Sequence, residues 1–289
     1  MQYEGTGSGG WVLGLRRLSA ALLLVLAACE PAPAPNEPEL GPASHVPGCR
    51  PDNDGIIEAA ELPFALGVLA RYRVREQEID IDVDGREEAG VTLWDLSRPD
   101  PSHDPLARLG PLPIEGRWFT DRFPNATAVL PLDPRGQLLG AVDFSEEGLR
   151  LHGFASAEAT PPEGQTLARY DHPVLLLPAP MALGRSWSFT ARAENATLRG
   201  IPGAFEDRYE LEVTAEGRLV LPDLILDRTL RLTVRLERAL LTGDVRQVSH
   251  HWIHECLGET ARVTGPLLPA GEPYPDTLPT IVELRRLSL

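Results

Sequence analysis

The sequence predicts an all-β, antiparallel protein, and three observations carry that expectation. Apolar and polar residues alternate over most of the chain beyond Val68, as they do on half-buried strands. Proline and glycine, 28 and 26 of 289 residues, cut this alternation into short lengths. No segment between the breaks offers a long helical period with caps. The strands are expected to form a half-barrel or a sandwich, with a short acidic loop and helical turn at the N-terminal end.

Taken in order, residues 1–28 read as an export signal. Arg16 and Arg17 precede an apolar run containing Leu22, Leu23, Leu24, Val25 and Leu26. The run is too short to span a bilayer, which needs about 20 apolar residues, but fits the core of a cleaved signal. Leu15, Leu18 and Ser19 fit a twin-arginine signal poorly, so the two arginines read as plain flanking charge. The run ends in Leu26, Ala27, Ala28 and Cys29, which resembles the lipobox of bacterial lipoproteins. The resemblance implies cleavage before Cys29, acylation of that cysteine, and a membrane as the first partner. Glu30 is not the aspartate that favours inner-membrane retention in enterobacteria, so the expected address is the outer membrane, facing the periplasm or the cell surface.

Residues 29–48 form a linker. Pro31, Pro33, Pro35 and Pro38 fix φ, remove donors and favour an extended polyproline II chain. At about 3.1 Å per residue, the part from Glu30 to Val46 is long enough to hold a folded domain roughly 50 Å from a membrane surface.

Residues 49–66 contain the clearest local motif. With Gly55 at the sixth position, the stretch from Arg50 to Glu61 resembles an EF-hand loop. Asp52 and Asp54 then fall at ligand positions, Ile56 offers its carbonyl, Ile57 is the apolar eighth residue and Glu61 stands where the bidentate carboxylate belongs. Arg50 puts a cation where the first carboxylate belongs, and Pro63 cuts the following helix to about one turn. Two readings stay open: a weak calcium site, sub-millimolar to millimolar, and a metal-free acidic turn. The sequence requires no cofactor, and calcium is the candidate this loop offers.

Residues 67–160 form a first β region and residues 161–289 a second, divided at Pro161, Pro162, Glu163 and Gly164. In the first, strands are expected at 71–83, 91–96, 128–132, 138–144 and 149–154, with Asp84-Gly85 as a hairpin turn. The aspartates Asp80, Asp82 and Asp84 match only half of a calcium loop and fall opposite Ile79, Ile81 and Val83, as a solvated strand face does. In the second, strands at 186–193, 209–215, 218–221, 230–236, 245–256, 260–264 and 281–287 form a curved meander.

The most enzyme-like run is His250-His251-Trp252-Ile253-His254-Glu255-Cys256. On a helix His250 and His254 would lie within about 6 Å and could hold zinc for hydrolysis. On a strand they stand about 13 Å apart and cannot share an ion. Val245 and Val248 favour the strand. The chain has no Gly-x-Ser-x-Gly elbow, phosphate-binding glycine loop or Cys-x-x-Cys pair. Once Cys29 is acylated, Cys49 and Cys256 are left as an even pair in an oxidising compartment, and they are expected to be bonded.

As a whole the order of parts resembles uncharacterised lipoproteins of myxobacteria. The residues that carry this are the lipobox, the proline spacer, Cys49 beside Asp52-Asn53-Asp54-Gly55, Trp94-Asp95-Leu96, Glu115-Gly116-Arg117-Trp118-Phe119, Leu183-Gly184-Arg185-Ser186-Trp187 and Glu255-Cys256-Leu257-Gly258. The resemblance implies an envelope address and no particular activity. A net charge of −15, with arginine as the only strong base, excludes nucleic acid and anionic headgroups as partners. The expected role is a non-enzymatic β domain that binds an envelope protein or a small ligand. A lipid carrier and a zinc hydrolase using His250, His251 and His254 are the alternatives.

Overall fold

The computed structural model describes residues 49–289 apart from 78, 99, 242, 273–281 and 289. The signal segment, Cys29 and the linker lie outside the described residues. The described chain is all-β, and its helical content is three single 3-10 turns at Ala59–Glu61, Pro101–His103 and Thr120–Arg122.

The strands of the first half are β1 (Ile56–Ile57), β2 (Ala70–Arg75), β3 (Arg86–Glu88), β4 (Val91–Asp95), β5 (Leu106–Leu109), β6 (Leu112–Pro113), β7 (Ala128–Pro131), β8 (Leu138–Ser145) and β9 (Gly148–Ser156). Those of the second are β10 (Leu167–Pro178), β11 (Met181–Ala182), β12 (Ser186–Leu198), β13 (Ile201–Val220), β14 (Ile225–Leu240), β15 (Val245–His254), β16 (Gly258–Thr264), β17 (Leu268–Pro269) and β18 (Glu283–Ser288). Sixteen of them share one sheet, whose main path runs β5-β2-β18-β16-β15-β14-β13-β12-β10-β9-β8-β7-β6. β12 to β16 are consecutive antiparallel neighbours, which is the meander expected from the turn spacing. The sheet also runs through the break at 161–164, because β9 and β10 pair across it. The path starts at β5 and ends at β6, yet only Gly110 and Pro111 separate those strands in the chain. The sheet therefore curls until its edges are neighbours, without closing as a barrel.

Several strands differ from expectation for local reasons. The stretch 71–83 keeps its alternation, with Ile81 and Val83 buried and Asp82 and Asp84 exposed, but its regular ladder ends at Arg75. The hairpin turn falls at Ala89-Gly90 between β3 and β4, not at Asp84-Gly85. Both turn residues have positive φ, 53° and 82°, as a tight two-residue hairpin requires, while the Asp84 carboxylate pairs with Arg231. The two strands expected at 209–215 and 218–221 are one, because β13 absorbs register shifts between Val213 and Ala215 and between Gly217 and Leu219. β10 was not foreseen. Its alternation is broken by Pro173 and by a register shift between Arg169 and Val174.

β13 shows how the sheet is divided between core and solvent. Phe205, Tyr209, Leu211 and Val213 are buried, and Arg208, Glu210 and Glu212 between them are exposed. The buried face packs with Leu151, Phe154, Tyr170 and Val174 into the largest core cluster. A charged pair is buried against that core. Arg238 clasps Asp207 with two bonds of 2.6 and 2.7 Å, and the Tyr170 hydroxyl donates to the same carboxylate at 2.6 Å. The guanidinium lies 4.5 Å from the Phe205 ring centre and 5.4 Å from that of Phe154. Burial pushes the Tyr170 hydroxyl up, and the Tyr209 hydroxyl to about 12. For Arg238, burial favours losing the proton, but bonding to Asp207 outweighs it and holds the cation more firmly than usual.

Candidate functional site

The acidic loop is pinned to the sheet from several sides. Ile57, 1% exposed, and Leu62 enter the main core, and β1 pairs with β11 as a separate two-stranded ladder. Glu58 and Glu61 form a reciprocal cap on the 3-10 turn between them, with the Glu58 N–H donating to Glu61 Oε2 at 2.9 Å. Cys49 is bonded to Cys256, as the count of cysteines predicts, and their Cα atoms are 5.6 Å apart. The Cys256 N–H donates to the Glu61 carbonyl at 2.8 Å. These ties bring the end of β15 against a loop some 200 residues earlier in the chain.

The consequence is a change in the set of converging ligand atoms. Carboxylate oxygens of Asp52, Asp54 and Glu255 lie within 4.8 Å of one another. Asp52 and Asp54 were expected to face a common point; Glu255 was not expected there at all. Its Oε2 accepts the Asn53 N–H at 2.9 Å, and Asn53 adopts a φ of 59°. Glu61 sits beside the group with one oxygen committed to its cap. Burial raises the Glu61 carboxyl above its ordinary range, the Glu58 bond opposes this, and the charges of Glu255, Asp52 and Asp54 add to it. Ile56 donates its N–H to Asp54 Oδ1 at 2.7 Å, which turns the loop at the residue whose carbonyl the EF-hand register assigns as a ligand. Such an all-oxygen group suits a hard divalent cation.

The histidine run is a strand, and its side chains separate. His250 and His254 are buried on one face with Trp252, while His251 is on the other. His250 Nδ1 lies 3.0 Å from Thr233 Oγ1, and His254 Nδ1 lies 2.7 Å from the Glu255 carbonyl. Burial first, then Arg231 and His251, pushes the His250 imidazolium down to about 3. Among the described residues these three histidines do not form a metal-binding group, so the zinc reading loses its ligand set.

His251 takes part in a different arrangement. Ser249 Oγ lies 2.8 Å from its Nε2 and Glu259 Oε2 lies 2.7 Å from its Nδ1, a nucleophile, base and acid in sequence. Period-two geometry places Ser249 and His251 on one face of β15, and Glu259 arrives from β16 across a register shift. Burial would raise the Glu259 carboxyl, but Arg262, His251 and Arg285 outweigh it and hold it well below the usual range. Burial and Arg262 depress the His251 imidazolium, which keeps the ring neutral as a general base needs. A polar cleft of about 530 Å³ opens beside Ser249, lined by Gln247, Arg262, Glu283, Glu76 and Arg135 among others. Ser249 itself lies between β14 and β16, in register with Val234 and Thr264, so its backbone belongs to the ladder rather than to an exposed pair of donors.

Comparison of the chain with protein-family models, with curated proteins and with solved structures finds no match.

Proposed function

We propose that the chain is a lipid-anchored protein of the bacterial envelope, held at the outer membrane by acyl chains on Cys29, whose β domain binds a partner. The observation that carries this reading is the Cys49–Cys256 disulfide. Bonds of this kind persist outside the reducing cytoplasm, and Cys49 follows the proline-rich spacer directly in sequence. The core cluster beneath β13 is filled by the protein's own Leu151, Phe154, Tyr170 and Phe205, which favours a partner met at the surface over a lipid carried inside. One end of the sheet supports this. There the β12–β13 turn, the β14–β15 turn and the segment before β17 lie at the same end of the strands, and Ile201, Leu241 and Leu267 are exposed at 71%, 93% and 62%. The anchor is tested by Cys29→Ser: acylation and membrane retention are expected to be abolished, since each buried methylene contributes about 0.8 kcal/mol to anchoring. A Cys29→Ser protein that still fractionates as an acylated membrane protein refutes the reading.

One specific observation favours a second reading, a serine hydrolase built on Ser249, His251 and Glu259 beside the polar cleft. In that chemistry Ser249 Oγ attacks an acyl carbon as His251 takes its proton and Glu259 holds the resulting imidazolium; His251 then gives the proton to the leaving group as its bond to that carbon breaks, and water hydrolyses the acyl-enzyme. A fluorophosphonate probe separates the two readings. The binding reading expects no covalent adduct. An adduct formed by the wild-type protein and lost in both Ser249→Ala and His251→Ala would replace it with the hydrolase.

A further inference from the structure

We infer that Asp52, Asp54 and Glu255 bind one divalent cation of the calcium type, and that this ion and the neighbouring disulfide together latch the N-terminal loop to the end of β15. The first observation is the convergence of three carboxylates within 4.8 Å. Like charges at that spacing repel unless a cation joins them. Among the described residues no arginine forms an ion pair with any of the three, nor with Glu61 beside them. Arg228 reaches the loop, but its Nε pairs with Glu216 at 2.9 Å and its Nη2 donates to the Asp54 carbonyl at 3.0 Å. Arg50 is exposed.

The second observation is independent of the first. Glu255 is only 2% exposed, its Oε2 is satisfied by the Asn53 N–H, and its Oε1 is buried with no hydrogen-bond partner. A buried carboxylate oxygen in that condition is destabilising unless something of positive charge meets it. That oxygen belongs to the same carboxylate that meets Asp52 and Asp54, which are exposed and open to an entering ion. The loop's own sequence offers Arg50 where a first carboxylate would serve. Glu255 makes up that loss from the far end of the chain.

The choice of ion follows from the donors. Carboxylate oxygens with no histidine or thiolate among them select a hard cation, and an irregular loop accommodates the long, flexible coordination of calcium better than the compact octahedron of magnesium. Because Glu255 precedes Cys256 directly, the disulfide holds one ligand in place. Metal affinity and the redox state of Cys49 and Cys256 are therefore coupled.

The test is calorimetric titration of the full-length protein in detergent with calcium alone. One ion per chain is expected, with a dissociation constant of roughly 0.1 mM or tighter. Glu255→Gln preserves volume and an acceptor for the Asn53 N–H, and it is expected to weaken binding at least tenfold. Asp52→Asn, at an exposed position, is expected to do the same and decides the matter if Glu255→Gln fails to fold. Reduction of the disulfide should weaken binding as well. No binding up to 10 mM calcium, or unchanged affinity in Asp52→Asn and in a folded Glu255→Gln protein, overturns the inference. Neither result bears on Cys29 or on the anchor.

Discussion

Replacing Asp207 with alanine is expected to destabilise the domain by about 3–5 kcal/mol, the range for breaking a buried ion pair from one side. Asp207 is fully buried and takes two bonds from Arg238 and one from Tyr170. Without it the guanidinium stays between Phe154 and Phe205 with no anion, and the Tyr170 hydroxyl keeps only Tyr209, 3.2 Å away. At about 2–4 °C per kcal/mol for a domain of this size, thermal unfolding should drop by roughly 10 °C. The double variant Asp207→Leu with Arg238→Met removes both charges together and should recover much of the loss, because an apolar pair of similar volume is often neutral in such a place. A single variant that melts within 2 °C of wild type would show that water reaches the pair and that the pair is not part of the core's stability.

Reduction of the Cys49–Cys256 bond is the second large effect. The bridge spans 207 residues, and chain-entropy arguments give up to about 5 kcal/mol for closing a loop of that length. Reductant, or the double variant Cys49→Ser with Cys256→Ser, should lower the unfolding temperature by several degrees. The Asn53–Glu255 and Cys256–Glu61 bonds lie next to the bridge and should exchange their amide hydrogens faster once it is gone. Equal stability with and without reductant would mean that these bonds and the burial of Ile57 hold the loop unaided.

The class of fold was readable because one face of each long strand is buried. In β12 the alternation Ser186, Trp187, Ser188, Phe189 continues into Ala191 and Ala193, both fully buried. Where the pleat is interrupted, period two fails as a guide. Pro173 concealed β10, and the register shifts of β13 made one strand look like two. The bonded cysteines were readable because the acylation expected at Cys29 would leave Cys49 and Cys256 without a third competitor. The site was legible only in part. Asp52 and Asp54 announce a ligand loop by their spacing with Gly55, whereas Glu255 carries no ligand spacing of its own, and only the expected bond of its neighbour Cys256 to Cys49 points it toward that loop. Ser249 and His251 share a face by simple alternation, whereas Glu259 joins them only because β15 and β16 slip by one residue at Trp252 and Ile253.

The sulfur bridge also decides where a mechanical load enters the domain. Tension on the chain upstream of Cys49 does not have to run through the loop from Arg50 onward, because it can pass directly to Cys256. Cys256 lies two residues beyond β15, a ten-residue strand laddered on one side to β14 and on the other to β16. A pull delivered there strains many backbone bonds in the middle of the sheet, while the short strands β5 and β6 at its edges lie outside the path. Peeling from an edge, in which bonds fail one after another, is the weak direction for a sheet, and the bridge directs force away from it.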